Sequence, residues 1–202
     1  MNNKHGIPDH LFAKDLGDDT VTWTIATRTA QMLRELQELY GPRDLSWTFV
    51  GVAFWEQGPM IWYPSKNIKP HSKQVAIHLS AQAFSNNKEA MYQLSHECVH
   101  LLAPSGRRGA PVMEEGLAYR YSREILERVF SHPLDQPYGK ADNYVAAGRA
   151  VGKLLEHDSE AIRKLRVVQP AFYEMTPATF TEAGMQVPAE LIAELLRPFN
   201  QG

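Results

Sequence analysis

Cysteine is nearly missing from this chain: Cys98 stands alone in 202 residues, so no intrachain disulfide can form. Long apolar runs are missing too. Nothing approaches the ~18 consecutive apolar residues that mark a membrane helix. The opening stretch MNNKHGIPDHLFAKDLGDD has no apolar segment of signal-peptide length. Neither sign of charge dominates, with 21 Lys+Arg against 23 Asp+Glu and a net charge of −2. That balance argues against a general nucleic-acid binder, which carries a basic excess or stripe. No repeat or low-complexity tract interrupts the chain. What remains is 44% hydrophobic and 22% charged, ordinary globular composition and enough to bury one sizeable core. The expectation is a soluble, cytoplasmic protein with no nucleic acid and no membrane among its partners. A loose polar leader at 1–19 precedes a single domain over 20–202, divided into a sheet-plus-helix lobe (20–103) and a helical lobe (104–202).

Local texture gives the element order. Asp18, Asp19 and Thr20 are placed to cap a helix in which Ile25, Thr29, Met32, Leu33, Leu36, Leu39 and Tyr40 recur at helical spacing. Gly41-Pro42 stops it. Residues 45–55, 60–63 and 74–80 are rich in β-branched and aromatic types and read as three strands. Glu56-Gln57-Gly58-Pro59 reads as a hairpin loop between the first two. From Asn86 onward the pattern is helical, with helices expected near 87–103, 114–131, 142–157, 158–166 and 188–197. The fold class is therefore α+β: an N-terminal helix and a small mixed sheet, then a mainly helical C-terminal lobe.

The chemistry lies in His96-Glu97-Cys98-Val99-His100, an H-E-x-x-H motif. On a helix, residues four apart share a face, so both imidazoles can reach one ion. Zinc takes neutral imidazole and carboxylate ligands in a tetrahedral shell. Glu97 lies one step round the helix, placed to touch a water on the metal without ligating it. With His96 at 0°, His100 falls at about 40° and Glu97 at about 100° on a 3.6-residue wheel. Leu94, Met91, Cys98, Leu101 and Leu102 cluster opposite, which makes Cys98 a small core residue. The alternative for the pair is two structural histidines on a solvated face.

A catalytic zinc needs a third protein ligand and keeps one open position. After a loop punctuated by Gly and Pro, Met113-Glu114-Glu115-Gly116-Leu117-Ala118 opens a second helix. On its wheel Glu115 shares the apolar side with Ala118, Ile125, Leu126 and Val129. A carboxylate aimed at the interior must be paired or metal-bound. Glu114 falls about 100° away, toward the polar edge, as a supporting carboxylate. His96, His100 and Glu115 are the candidate metal ligands.

H-E-x-x-H followed by E-G-L-A on the next helix resembles the gluzincin zinc metallopeptidases, the thermolysin- and aminopeptidase-like enzymes. The resemblance covers 87–130 and implies a compact zincin-like fold. It further implies zinc on His96, His100 and Glu115, with Glu97 as catalytic base, hydrolysing a bond in a peptide or protein substrate with a zinc-activated water. It also points to a Tyr on a later helix as the oxyanion donor. Tyr144, followed by Gly148 and an apolar run, matches that helix, ahead of Tyr138, His132, His157 and Tyr173. By the same likeness the strand 74–80 would edge the cleft and pair with substrate. His78 on it is expected to be a solvent-side or hydrogen-bonded residue.

Three departures narrow the likeness. Only fourteen residues separate His100 from Glu115, a short loop. The aminopeptidase motif G-x-M-E-N is absent. Ala103 and Gly106 stand where a metzincin needs glycine and histidine. The aromatics Trp47, Phe49, Phe54, Trp55, Trp62 and Tyr63 are expected in a sheet-on-helix core, and Arg107-Arg108 on a solvated loop. The rival functions are a degenerate or structural zinc-binding module that grips a protein partner through the cleft, a hydrolase dedicated to one partner, and a non-peptide zinc hydrolase.

Overall fold

A computed structural model describes residues 12–13, 23–64, 73–106, 109–136, 138 and 142–199. Most of the leader and both Arg107 and Arg108 lie outside these residues. Phe12–Ala13 (β1) pairs antiparallel with Trp23–Thr24 (β2). Helix α1 spans Ile25–Tyr40, and its cap is Thr24 rather than the Asp18–Thr20 group. The Thr24 side chain accepts from the Thr27 amide, and the Thr27 hydroxyl accepts from the Thr24 amide. Gly41 ends the helix with φ 91°, a conformation that favours glycine.

Strands β3 (Thr48–Trp55), β4 (Met60–Trp62) and β5 (Gln74–Ser80) form the expected mixed sheet, but not with the expected pairing. The order is β3-β5-β4, so β3 and β4 are not a hairpin, and 56–59 carries the chain past the end of β5. Strand β5 runs parallel to β3 and antiparallel to β4. The reason lies in burial: Val75–Leu79 are buried without interruption, the pattern of a strand covered on both faces. Its flanking strands are half-exposed and take the edges.

Helices α2 (Asn87–His100), α3 (Val112–Phe130), α4 (Asp142–His157), α5 (Ala161–Val168), α6 (Pro177–Glu182) and α7 (Ala189–Leu196) complete an α+β fold with seven helices among the described residues. Helix α6 was not expected. Pro177 reads as a breaker, yet proline fits the first helical turn, where no amide partner is lost. One core runs through the molecule, joining Met32 and Leu36 of α1, Ile77 and Leu79 of β5, Leu94 and Cys98 of α2, and Met113, Leu117 and Tyr121 of α3. Val151 and Leu154 of α4 extend it.

Two devices fix the helices around the motif. The buried Arg166 guanidinium donates to the carbonyls of Tyr40, Gly41, Pro42 and Pro170 at 2.8–3.1 Å, tying the end of α1 to α5. Its Nη2 also reaches the carbonyl of Leu102, just past α2. At the other side, the Val112 amide donates to the Arg197 carbonyl and the Phe199 amide to the Ala110 carbonyl, both at 2.9 Å. The C-terminal segment thereby clamps the start of α3.

Candidate metal centre

Helix α2 forms because Asn86 caps it, its side chain accepting from the Glu89 amide at 3.1 Å, and because its apolar back packs on the core. Leu94, Cys98, Leu101 and Leu102 are all buried, which turns His96 and His100 the other way. Burial pushes the Cys98 thiol pKa far up, leaving an inert core residue. Helix α3 crosses α2 and brings Glu115 to the histidines. Glu115 Oε2 lies 3.2 Å from His96 Nε2, and Oε1 lies 3.7 Å from His100 Nε2. One donor atom from each of the three residues lies within 4.8 Å of the other two. Two donors about 2.1 Å from a tetrahedral zinc are about 3.4 Å apart, so this group fits one ion.

The supporting carboxylate is in place as well, although it is buried rather than at the polar edge of α3. Glu114, buried at 2% exposure, accepts from His100 Nδ1 at 2.7 Å, which orients the ring so that Nε2 faces Glu115. The electrostatics follow from this crowding. Burial alone would lower the His100 pKa, but the Glu115 and Glu114 carboxylates outweigh it and hold it up at about 10. Glu115 shows the mirror effect: burial raises its pKa, and His100 and His96 pull it below the usual carboxylate value. Glu97 is buried, and that burial raises its pKa above the ordinary range, with the two histidines opposing.

These residues line a cavity of about 690 Å³. His96, Glu97, His100, Glu114 and Glu115 line it together with Tyr144 of α4 and with Met60, Ile61, Trp62 and Tyr63 of β4 and the turn after it. The Tyr144 ring meets the His96 ring edge-to-face at 5.7 Å and rests on Phe199 at 4.7 Å. Two glycines allow this approach. A Cβ on Gly116 would fall 2.3 Å from the Ala147 carbonyl oxygen, and one on Gly148 would fall 2.7 Å from Tyr119 Cδ1. Helices α3 and α4 therefore touch backbone to backbone, one turn from Tyr144.

Several expectations need correction. The strand at the cleft is β4, because β5 occupies the centre of the sheet. His78 on β5 is neither solvent-side nor hydrogen-bonded. It is 7% exposed, stacked between Trp55 at 5.6 Å and Trp62 at 4.7 Å, and its Nδ1 has no partner. Burial lowers its pKa, so the imidazole sits neutral between the rings. Trp62 lines the cavity and Trp55 is exposed; Trp47, Phe49, Phe54 and Tyr63 pack against the core as expected, and Tyr63 lines the cavity as well. Tyr138, His132, His157 and Tyr173 do not line the cavity.

Sequence reasoning missed Phe199 behind Tyr144, and Glu89, Tyr92 and Gln93 at the far end of the cavity. The last three left a trace: Glu89, Tyr92 and Gln93 lie seven, four and three residues before His96, on the same helix face. The chain matches no protein-family model, no curated protein and no solved structure.

Proposed function

We propose that the chain is a zinc-dependent peptidase of the gluzincin type, in which His96, His100 and Glu115 hold the ion and Glu97 is the general base. The observation that carries this reading is the convergence of those three donors in a cavity that two further buried carboxylates, Glu97 and Glu114, also line. Two imidazoles and one carboxylate suit zinc better than the harder all-oxygen cations. When bound, the ion supplies Lewis-acid polarisation and makes water a stronger acid.

The protein's own groups do the rest. Glu97, buried and lining the cavity beside the ligand group, can take a proton from water and hand it to the leaving amine. Glu114 keeps His100 turned so that one nitrogen faces the ligand group. The Tyr144 hydroxyl is the donor proposed for the oxyanion, supported by its ring's position beside His96. Strand β4 pairs with β5 on one side, and among the described residues no strand pairs with its other edge, where an extended peptide would add. An extended substrate along that edge would pass beside the ligand group.

The test is the zinc content of protein purified at neutral pH without chelator, beside E115A and E97Q. One zinc per chain in the wild type and in E97Q, and far less in E115A, is expected. Peptide turnover is expected in the wild type and lost in E97Q. Absence of zinc even after metal is added back would overturn the reading and leave a partner-binding module in its place. Full turnover by E97Q would remove Glu97 from the mechanism.

A further inference from the structure

We propose that Glu89 is a specificity-determining residue that selects peptides carrying a cationic group near the cleaved bond; this rests on the peptidase reading of the site. The described residues lining the cavity include four carboxylates, Glu89, Glu97, Glu114 and Glu115, and no Lys or Arg. Three of the four belong to the metal centre. Glu89 does not: it sits two helical turns before His96, about 10 Å along the α2 axis, on the same face.

Its carboxylate is held in place but not neutralised. Oε1 accepts from Gln93 Nε2 at 2.7 Å, and Oε2 accepts from the Tyr138 hydroxyl at 2.8 Å. Gln93 is itself locked to the end of β5, accepting from the Ser80 amide at 2.8 Å and donating to the Ser80 hydroxyl at 2.7 Å. Both donors on Glu89 are neutral, and each oxygen keeps a second lone pair for a ligand. Lys88, the neighbouring cation, makes no ion pair with Glu89: its ammonium contacts His132 Nδ1 at 2.8 Å and stands over the Tyr138 ring, 4.8 Å from its centroid. Tyr92 also lines the cavity, its ring 4.9 Å from that of Tyr138, and offers an aromatic surface beside the carboxylate. A fixed anion next to aromatic rings suits an ammonium or guanidinium.

The spacing sets the reach. An extended peptide advances about 3.3 Å per residue, so about 10 Å corresponds to three residues from the reacting bond. An Arg or Lys side chain, or a free amino terminus at that distance, supplies the same cationic chemistry.

The test uses zinc-loaded full-length protein and an N-acetylated decapeptide that the wild type cleaves. A single Arg is scanned over the three positions on each side of the cleaved bond, beside norleucine and Glu at the same positions. A matching peptide with no Arg and a free amino terminus separates the two sources of charge. The readout is the ratio of kcat/KM between peptides, with folding checked by thermal unfolding. The wild type is expected to prefer the cationic peptide by about tenfold at one or more positions. E89Q is expected to erase that ratio, and E89R to favour the Glu peptide. An unchanged ratio in both variants, or no preference in the wild type, would overturn the proposal while leaving the peptidase standing.

If no peptide is turned over at all, the same set is titrated against E97Q by fluorescence anisotropy. A Glu89-dependent preference for Arg there sustains the cationic subsite although the peptidase reading has failed. Equal binding of all peptides, or none, overturns it.

Discussion

Replacing Gly116 by alanine tests how closely α3 and α4 must meet for the site to exist. The added Cβ would lie 2.3 Å from the Ala147 carbonyl oxygen, 2.6 Å from its carbon and 2.8 Å from Val151 Cγ2. Unstrained carbon–oxygen contacts begin near about 3.3 Å, so the helices must part by about 1 Å. The clash is with backbone, so no change of side-chain rotamer relieves it. Overpacking of this kind costs about 1–3 kcal/mol or more, and alanine returns at most about 1 kcal/mol of helix propensity. A net loss of about 2 kcal/mol in a chain of 202 residues corresponds to a fall in Tm of about 4–8 °C.

The same shift would displace Glu115, the adjacent residue, from His96 and His100, now 3.2 and 3.7 Å away. Zinc affinity should therefore drop by about tenfold or more. Gly152 provides the control. Among the described residues the only neighbour of a Cβ there is the tip of the Arg120 side chain, with Nη1 at 3.1 Å, which can swing aside. G152A should be neutral or stabilising by up to about 1 kcal/mol. The assays are thermal unfolding of metal-free protein and competitive zinc titration. A G116A protein that melts at or above the wild type with full zinc affinity would refute the close-contact argument.

Three further outcomes follow from the geometry. Y144F should bind zinc normally and unfold at the wild-type temperature, yet lose about 10²-fold in kcat with little change in KM; steady-state kinetics beside a zinc assay would show whether the hydroxyl acts. Metal affinity should rise with pH. His100 stays protonated up to about 10 in the metal-free protein, so binding at neutral pH must release its proton, and the zinc Kd should fall about tenfold per unit between pH 6 and 8. Calorimetry in two buffers of different ionisation enthalpy would count that proton. S131G should stabilise the fold by about 0.5–1 kcal/mol, because Ser131 ends α3 in the left-handed region at φ 51°; an unchanged or lower Tm would count against it.

The group that could hold a metal ion was legible in the sequence because each member rests on a local rule. His96 and His100 share a face by the pitch of one helix, and the apolar residues behind them leave that face no other direction. The wheel of α3 pointed to Glu115, whose oxygens do meet the histidines, but it put Glu114 toward the polar edge, and Glu114 is the more buried of the two. The α+β class was legible for the same reason, since strand and helix textures differ residue by residue. The strand order was not. A short loop rich in Gly and Pro favours a hairpin locally, but the uninterrupted burial of β5 put it between β3 and β4.

What sequence alone determined, then, is the set of groups that one helix or one strand must present together: two imidazoles, a carboxylate one step away, and a second carboxylate on the next helix. Tertiary structure decided everything that depends on separate elements meeting. It turned Glu114 onto His100, set Tyr144 beside His96 through the Gly116 and Gly148 contacts, and made β4 the cleft edge. It also fixed Glu89 through Tyr138, forty-nine residues along the chain. Periodicity reports which face of an element is buried, whereas the identity of what covers that face is set by packing of the whole core.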